Sequence, residues 1–186
     1  MSTYSDFIIK HSNQQDLIDY LSDFFVFGRQ SKLKNTDPDM FKYLNTIVFT
    51  IDNNSEWTHI YYQPKHLFGF DEIMRRITNE FKTIGIFGYK QTTDETSRFA
   101  FFKNGKLIRS LAYQNHNHLN ELRLIDDFGE RFEFEKYDYE EKREKYKFNE
   151  RFLTYYDDIQ HWYHEFGFEF NFETELLHKE ILGNKN

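Results

Sequence analysis

Carboxylates crowd the end of this chain: 17 of its 31 Asp and Glu, but only 9 of its 24 Lys and Arg, lie from Asp126 onward. Within that stretch Glu133, Glu135, Asp138, Glu140, Glu141, Glu144, Asp157 and Asp158 are of the right type for Mg²⁺ coordination or for paired acid/base hydrolysis. Two-carboxylate chemistry needs a fixed separation, and nothing in the spacing sets one. Lys142, Arg143 and Lys145 interleave with the densest run, which is the pattern of a solvated face. Histidines are the other candidates, in His116-Asn117-His118 and in His161-Trp162-Tyr163-His164 followed by Glu165. A metal accepts such spacings, and His161 and His164 fall on one face of a helix. The order His-x-x-His-Glu matches neither zinc-protease motif, so no general base stands in register, and no metal site is expected. The absence of cysteine removes disulfides, thiolate catalysis and cysteine-bound zinc, and suits a reducing cytosol. No G-x-S-x-G occurs, and Gly85-Ile86-Phe87-Gly88 is too short and too apolar to cradle a phosphate. No cofactor is expected.

The acidic groups make a clearer field than a catalyst. Residues 1–125 are nearly neutral, with 14 carboxylates against 15 Lys and Arg, so the net charge of −7 belongs to the last third. A localised field of that sign favours a basic protein partner and repels a phosphate backbone. Arg98-Phe99-Ala100-Phe101-Phe102 has the aromatic content of an RNA-binding strand but lacks its glycine, and no nucleic acid is expected. Aromatics on both sides of the Asp157-Asp158 pair, Tyr155, Tyr156, Trp162 and Tyr163, serve either as core or as a hot spot with an acidic rim. The candidate partner surface is therefore Glu133, Glu135, Asp138, Glu140, Glu141, Glu144, Tyr156, Asp157, Asp158 and Trp162.

Positioning these groups requires a core, and 20% aromatic content supplies it in a chain with 39% hydrophobic residues. Ser12-Asn13-Gln14-Gln15 has the form of a capping box, with Leu17, Ile18, Leu21, Phe24 and Phe25 at helical spacing behind it and Gly28 placed to stop the helix. Thr36-Asp37-Pro38 opens a short second helix carrying Met40, Phe41 and Leu44. Residues 46–52 and 57–62 read as strands about the turn Asn53-Asn54-Ser55. Phe70, Ile73, Met74, Ile77 and Phe81 form a helical stripe, with Asp71 and Glu72 in its first turn and Lys82 in its last. A strand over 84–89 follows. Asn104-Gly105 then joins two strands, 98–103 and 106–111, and supplies both positive-φ positions of a type I′ turn.

A further strand pair is expected from 119–125 and 131–135, the second alternating Arg131-Phe132-Glu133-Phe134-Glu135 with its acidic face outward. Phe148, Phe152, Tyr155, Ile159, Trp162 and Phe166 describe an amphipathic helix ending at Gly167, and the alternation over 168–173 resembles a last strand. The expected fold is one α+β domain spanning 1–186, a mostly antiparallel sheet of about six strands with about three packed helices. Residues Met1 to Asp6 hold no basic region followed by an apolar run, and a cytoplasmic protein without a membrane segment is expected.

Ser55-Glu56-Trp57-Thr58-His59-Ile60, Phe102-Lys103-Asn104-Gly105-Lys106-Leu107-Ile108-Arg109 and Gly129-Glu130-Arg131-Phe132-Glu133-Phe134-Glu135 carry a resemblance. The stretch from Trp57 to Glu135 resembles a broad group of small bacterial proteins in which a tryptophan-led strand, a helix and an Asn-Gly hairpin recur. Proteins of that look are often immunity-type partners of polymorphic or contact-dependent toxins. The resemblance implies function by tight binding of a cognate toxin domain, not an enzyme. The competing expectations are a metal-dependent hydrolase built on the acidic cluster and a scaffold domain that binds through its aromatic helix.

Overall fold

Residues 3–34, 46–51, 56–62, 70–91, 96–116, 121–135, 162–169 and 175–184 are described in the computed structural model. Strand β1 (Thr3–Ile9) already carries the plan of the molecule. Phe7 and Ile9 point to one side of the sheet and Ile8 to the other, and all three are buried, so each face is covered by a packed layer. After β1 come α1 (Gln14–Leu21), β2 (Phe25–Lys34), β3 (Thr46–Ile51), β4 (Thr58–Tyr62), α2 (Phe70–Glu80), β5 (Ile84–Gln91), β6 (Thr96–Lys103), β7 (Lys106–His116), β8 (Glu121–Phe128) and β9 (Glu175–Asn184). Helical turns also occur at 133–135 and 162–165. Among the described residues the strands form one sheet of nine in the order β2-β9-β3-β4-β1-β5-β6-β7-β8, and every neighbouring pair is antiparallel. The α+β class and the antiparallel sheet are as the sequence suggests. The strand number is well above the expected six.

One face carries the helices. Leu17, Ile18 and Leu21 of α1, and Phe70, Met74 and Ile77 of α2, pack on Phe7, Ile9, Phe49, Ile60, Phe87 and Phe102. Phe7 lies 4.9 Å from both Phe70 and Phe87, ring centre to ring centre, so aromatic contacts tie α2 to the middle of the sheet. Arg98 of β6 reaches Asp71 in the first turn of α2 with two bonds of 2.7 and 2.9 Å. The Thr78 hydroxyl accepts from the Gly105 amide at 3.1 Å, fastening the hairpin turn to the helix. That turn has Asn104 at φ 48° and Gly105 at φ 80°, the type I′ geometry that Asn-Gly encodes. An apolar cavity of about 20 Å³ remains between Leu21, Phe25, Phe70 and Ile77, too small for an organic ligand.

The opposite face is covered by side chains of residues 132–134 and 162–168. Phe132 and Phe134, together with Trp162, Tyr163, Phe166 and Phe168, pack on Ile8, Trp57, Ile86, Phe99, Phe101, Leu111 and Tyr113. Trp162 stands edge-on to Phe99 at 5.3 Å, while Phe166 stacks on Phe101 at 5.0 Å and meets Phe132 at 5.1 Å.

Four expectations are corrected. The first helix does not run to Phe25: it is capped by Asn13, whose side chain accepts from Gln15 N, and it ends at Leu21. Phe24 and Phe25 keep the helical spacing only because the chain turns straight into β2 with Phe25 still in the core. Residues 131–135 are not a strand. Lys82 stands beyond the end of α2 with φ 47° instead of in its last turn. Phe168 and Glu169 are not in a strand, the Phe168 ring being buried against Trp57 and His59, while the rest of the strand expected over 168–173 lies outside the described residues; a strand, β9, does run over Glu175–Asn184. The helix expected around 36–44 lies outside the described residues, as does the amphipathic helix before Trp162; Gly167 (φ 79°) does follow its last turn.

Candidate functional site

On the face opposite the helices the sheet carries a carboxylate, an imidazole and a guanidinium that are almost entirely buried: Asp6, His59 and Arg109. Strand alternation puts them there, since Asp6 shares its side of β1 with Ile8, and Ile8 is paired with His59 of β4. The His59 ring lies 2.8 Å from an Asp6 carboxylate oxygen. Tyr61 lies 3.9 Å from the imidazole, ring centre to ring centre, and Phe168 closes over it edge-on at 5.3 Å. Burial first, and then the Asp6 carboxylate, push the Tyr61 hydroxyl upward in pKa. Tyr163, fully buried above the pair, is pushed well above its ordinary value by burial, by Asp6 and by Tyr61.

Arg109 of β7 is the second polar centre. Its Nε donates to both oxygens of Glu135 at 3.1 and 2.9 Å, and a terminal nitrogen donates to Glu135 at 2.6 Å. The other terminal nitrogen donates to Asp127 at 2.6 Å and to the Phe128 carbonyl at 2.8 Å. Arg131 holds the remaining Asp127 oxygen at 2.7 Å. Burial would lower the Arg109 pKa, but the bonds to Glu135 and Asp127 outweigh it and the net shift is upward. Asp127 is shifted downward, because the bonds from Arg131 and Arg109 exceed the cost of its desolvation. Glu135 also accepts from the Phe132 amide at 3.3 Å, as the third residue of a helical turn whose cap is Phe132. That is the returning half of a capping box, so one carboxylate starts the helix and fastens it to the sheet.

The expected partner surface divides accordingly. Glu135 is 1% exposed and bound to Arg109, and Trp162 is equally buried, so neither faces a partner. Their position follows from charge pairing in one case and from an aromatic seat on Phe99 and Phe134 in the other. Glu133 is exposed. Asp138, Glu140, Glu141, Glu144, Tyr156, Asp157 and Asp158 lie outside the described residues. The hydrolase reading loses Glu135, whose oxygens are occupied by a guanidinium. Each histidine pair has one member outside the described residues, and His164 is exposed. Among the described residues no group of three or more His, Cys, Asp or Glu could hold a metal ion, and no helix is long and apolar enough to cross a membrane.

What the described residues do present on this face is three exposed glutamates. Glu133 sits between Phe132 and Phe134, Glu165 beside Phe166, and Glu169 beside Phe168; the glutamates are exposed while these aromatics contact one another or the sheet. Contacts of 5.1 and 5.5 Å from Phe166 to Phe132 and Phe134 place Glu133 and Glu165 on neighbouring segments, although 32 positions separate them in sequence. Sequence reading missed Asp6, His59 and Arg109. The available signal was a carboxylate and a histidine at core-facing positions of short strands, where either residue requires a partner. Comparison with family models, with curated proteins and with solved structures found no match to this chain.

Proposed function

We propose that this chain is an immunity-type binding protein that neutralises a basic toxin domain in the bacterial cytoplasm by covering it. The observation that carries the reading is the set of exposed glutamates on the face opposite the helices, Glu133, Glu165 and Glu169, each next in sequence to a member of an aromatic pad anchored to the sheet. The pad fixes where these charges stand, and fixed charges of one sign raise the association rate of an oppositely charged partner and select against others. The resemblance over Trp57 to Glu135 supports the same class.

Growth of a test bacterium checks the proposal. The toxin domain encoded beside this chain should arrest growth, and co-expression of the chain should restore it; arrest that persists beside a folded chain overturns the reading. The triple variant Glu133→Lys, Glu165→Lys, Glu169→Lys should associate on the order of tenfold more slowly at low salt and lose most of its salt dependence. An unchanged on-rate would remove these glutamates from the interface.

A further inference from the structure

The β6–β7 turn sets a reactive pair of residues at the surface. Asn104 is exposed at its tip, just beyond the ladder pair Lys103 and Lys106. An asparagine followed by glycine brings a side-chain amide to the least shielded backbone nitrogen, because glycine has no Cβ to block the approach. Lys103 and Lys106 are both exposed, and positive charge in the neighbourhood favours the deprotonated amide nitrogen that such an attack requires.

The fold opposes that attack. Gly105 N donates to the Thr78 hydroxyl at 3.1 Å. Thr78 is fully buried in the last turn of α2. Its single hydroxyl proton goes to the Met74 carbonyl at 2.7 Å, which leaves the oxygen as an acceptor for Gly105. A second tie runs from Asn104 N to the Thr83 carbonyl at 2.9 Å. Gly105 also lies against Asn79, since a Cβ built on the glycine would fall 2.7 Å from the Asn79 Cβ. Residues 78–83 thus hold both central positions of the turn, and the Gly105 N–H must leave Thr78 before its nitrogen can react.

We propose that Asn104 is a site of spontaneous deamidation and that Thr78 is the residue that restrains it. In the reaction Gly105 N bonds to Asn104 Cγ, the Cγ–Nδ2 bond breaks, and ammonia leaves with the proton that Gly105 N gives up. Water then opens the cyclic imide. Cleavage of the new Cγ–N bond yields aspartate, and cleavage of the bond to the main-chain carbonyl carbon yields isoaspartate. Aspartate suits a type I′ turn as well as asparagine does. Isoaspartate adds a carbon to the main chain, and a two-residue loop has no slack to absorb it, so the hairpin loses its fit to α2. Because the restraint exists only in the folded chain, isoaspartate accumulates chiefly in molecules whose turn has opened.

The test follows conversion of Asn104 by peptide mass spectrometry after the full chain is incubated in mildly alkaline buffer. The folded wild type should react on the order of tenfold more slowly, or slower still, than the same chain unfolded in urea. Equal rates overturn the restraint, and no conversion in the unfolded chain overturns the site. Thr78→Val should speed the folded-state reaction roughly fivefold, the factor equivalent to one hydrogen bond, and Thr78→Ser should return it to the wild-type rate. Ile77→Val weakens the same helix without touching that bond, and should leave the rate within about twofold. A Thr78→Val rate equal to wild type, or an Ile77→Val acceleration as large as that of Thr78→Val, overturns the role of Thr78. Should Thr78→Val fail to fold, hydrogen exchange at the Gly105 amide of the wild type decides: protection supports the restraint, and exchange as fast as in the unfolded chain overturns it.

Discussion

Arg109 concentrates the consequences of single side chains. It is wholly buried and held by two carboxylates, so removing Glu135 leaves the buried Nε and one terminal nitrogen without an acceptor and only Asp127 as counter-charge. Glu135→Ala should therefore cost about 3–5 kcal/mol in urea denaturation, whereas an exposed carboxylate such as Glu133 should cost under about 1 kcal/mol on the same substitution. Tyr163 sets a pH dependence. Its folded-state pKa lies well above the ordinary 10.0, so the unfolded chain gives up the phenolic proton first as pH rises. Its contribution is intact below pH 10.0 and is lost progressively above that value, through the higher folded-state pKa. Denaturation midpoints measured from pH 9 to 11 should fall less steeply in Tyr163→Phe than in the wild type. Neither residue's role could be read from sequence. Glu135 occupies the outward position of a strict alternation, and only the arginine 26 positions earlier turns it inward.

At the scale of elements, legibility followed how local the cause was. The hairpin at Asn104-Gly105, the strands on either side of it and α2 were readable, because a turn dipeptide and a helical stripe act within a few residues. Arg131 to Glu135 was misread because alternation of Phe and Glu suits a strand and an aromatic turn equally well when the partner surface is unknown. α1 was overextended because the core accepts Phe25 from a strand as readily as from a helix. The decisive residue after β8 is Gly129. It has φ 85°, and an added Cβ would fall 2.0 Å from the Ile108 carbonyl oxygen. Gly129→Ala should cost about 2 kcal/mol or more, combining left-handed strain with a backbone clash. A cost near zero in chemical denaturation would mean that the turn relaxes without its glycine.

For the whole molecule, the sequence conveyed the α+β class and the charge asymmetry but not the order of the sheet. Strand order depends on pairings that have no sequence signal, above all the seating of β9 between β2 and β3, across 151 positions from Arg29 to Glu180. Deleting 175–184 would separate β2 from the rest of the described sheet and leave one side of β3 without its partner. That deletion should abolish the cooperative unfolding transition; a sharp transition near the wild-type melting temperature would show that β9 is dispensable. The same placement bears on biosynthesis. A ribosome delivers β2 and β3 early, yet the strand that joins them emerges only after nearly all of the described sheet has been translated. Until then two hydrogen-bonding edges stay open to any neighbouring nascent chain, so slower elongation between β8 and β9 should lengthen the aggregation-prone interval and increase dependence on chaperones.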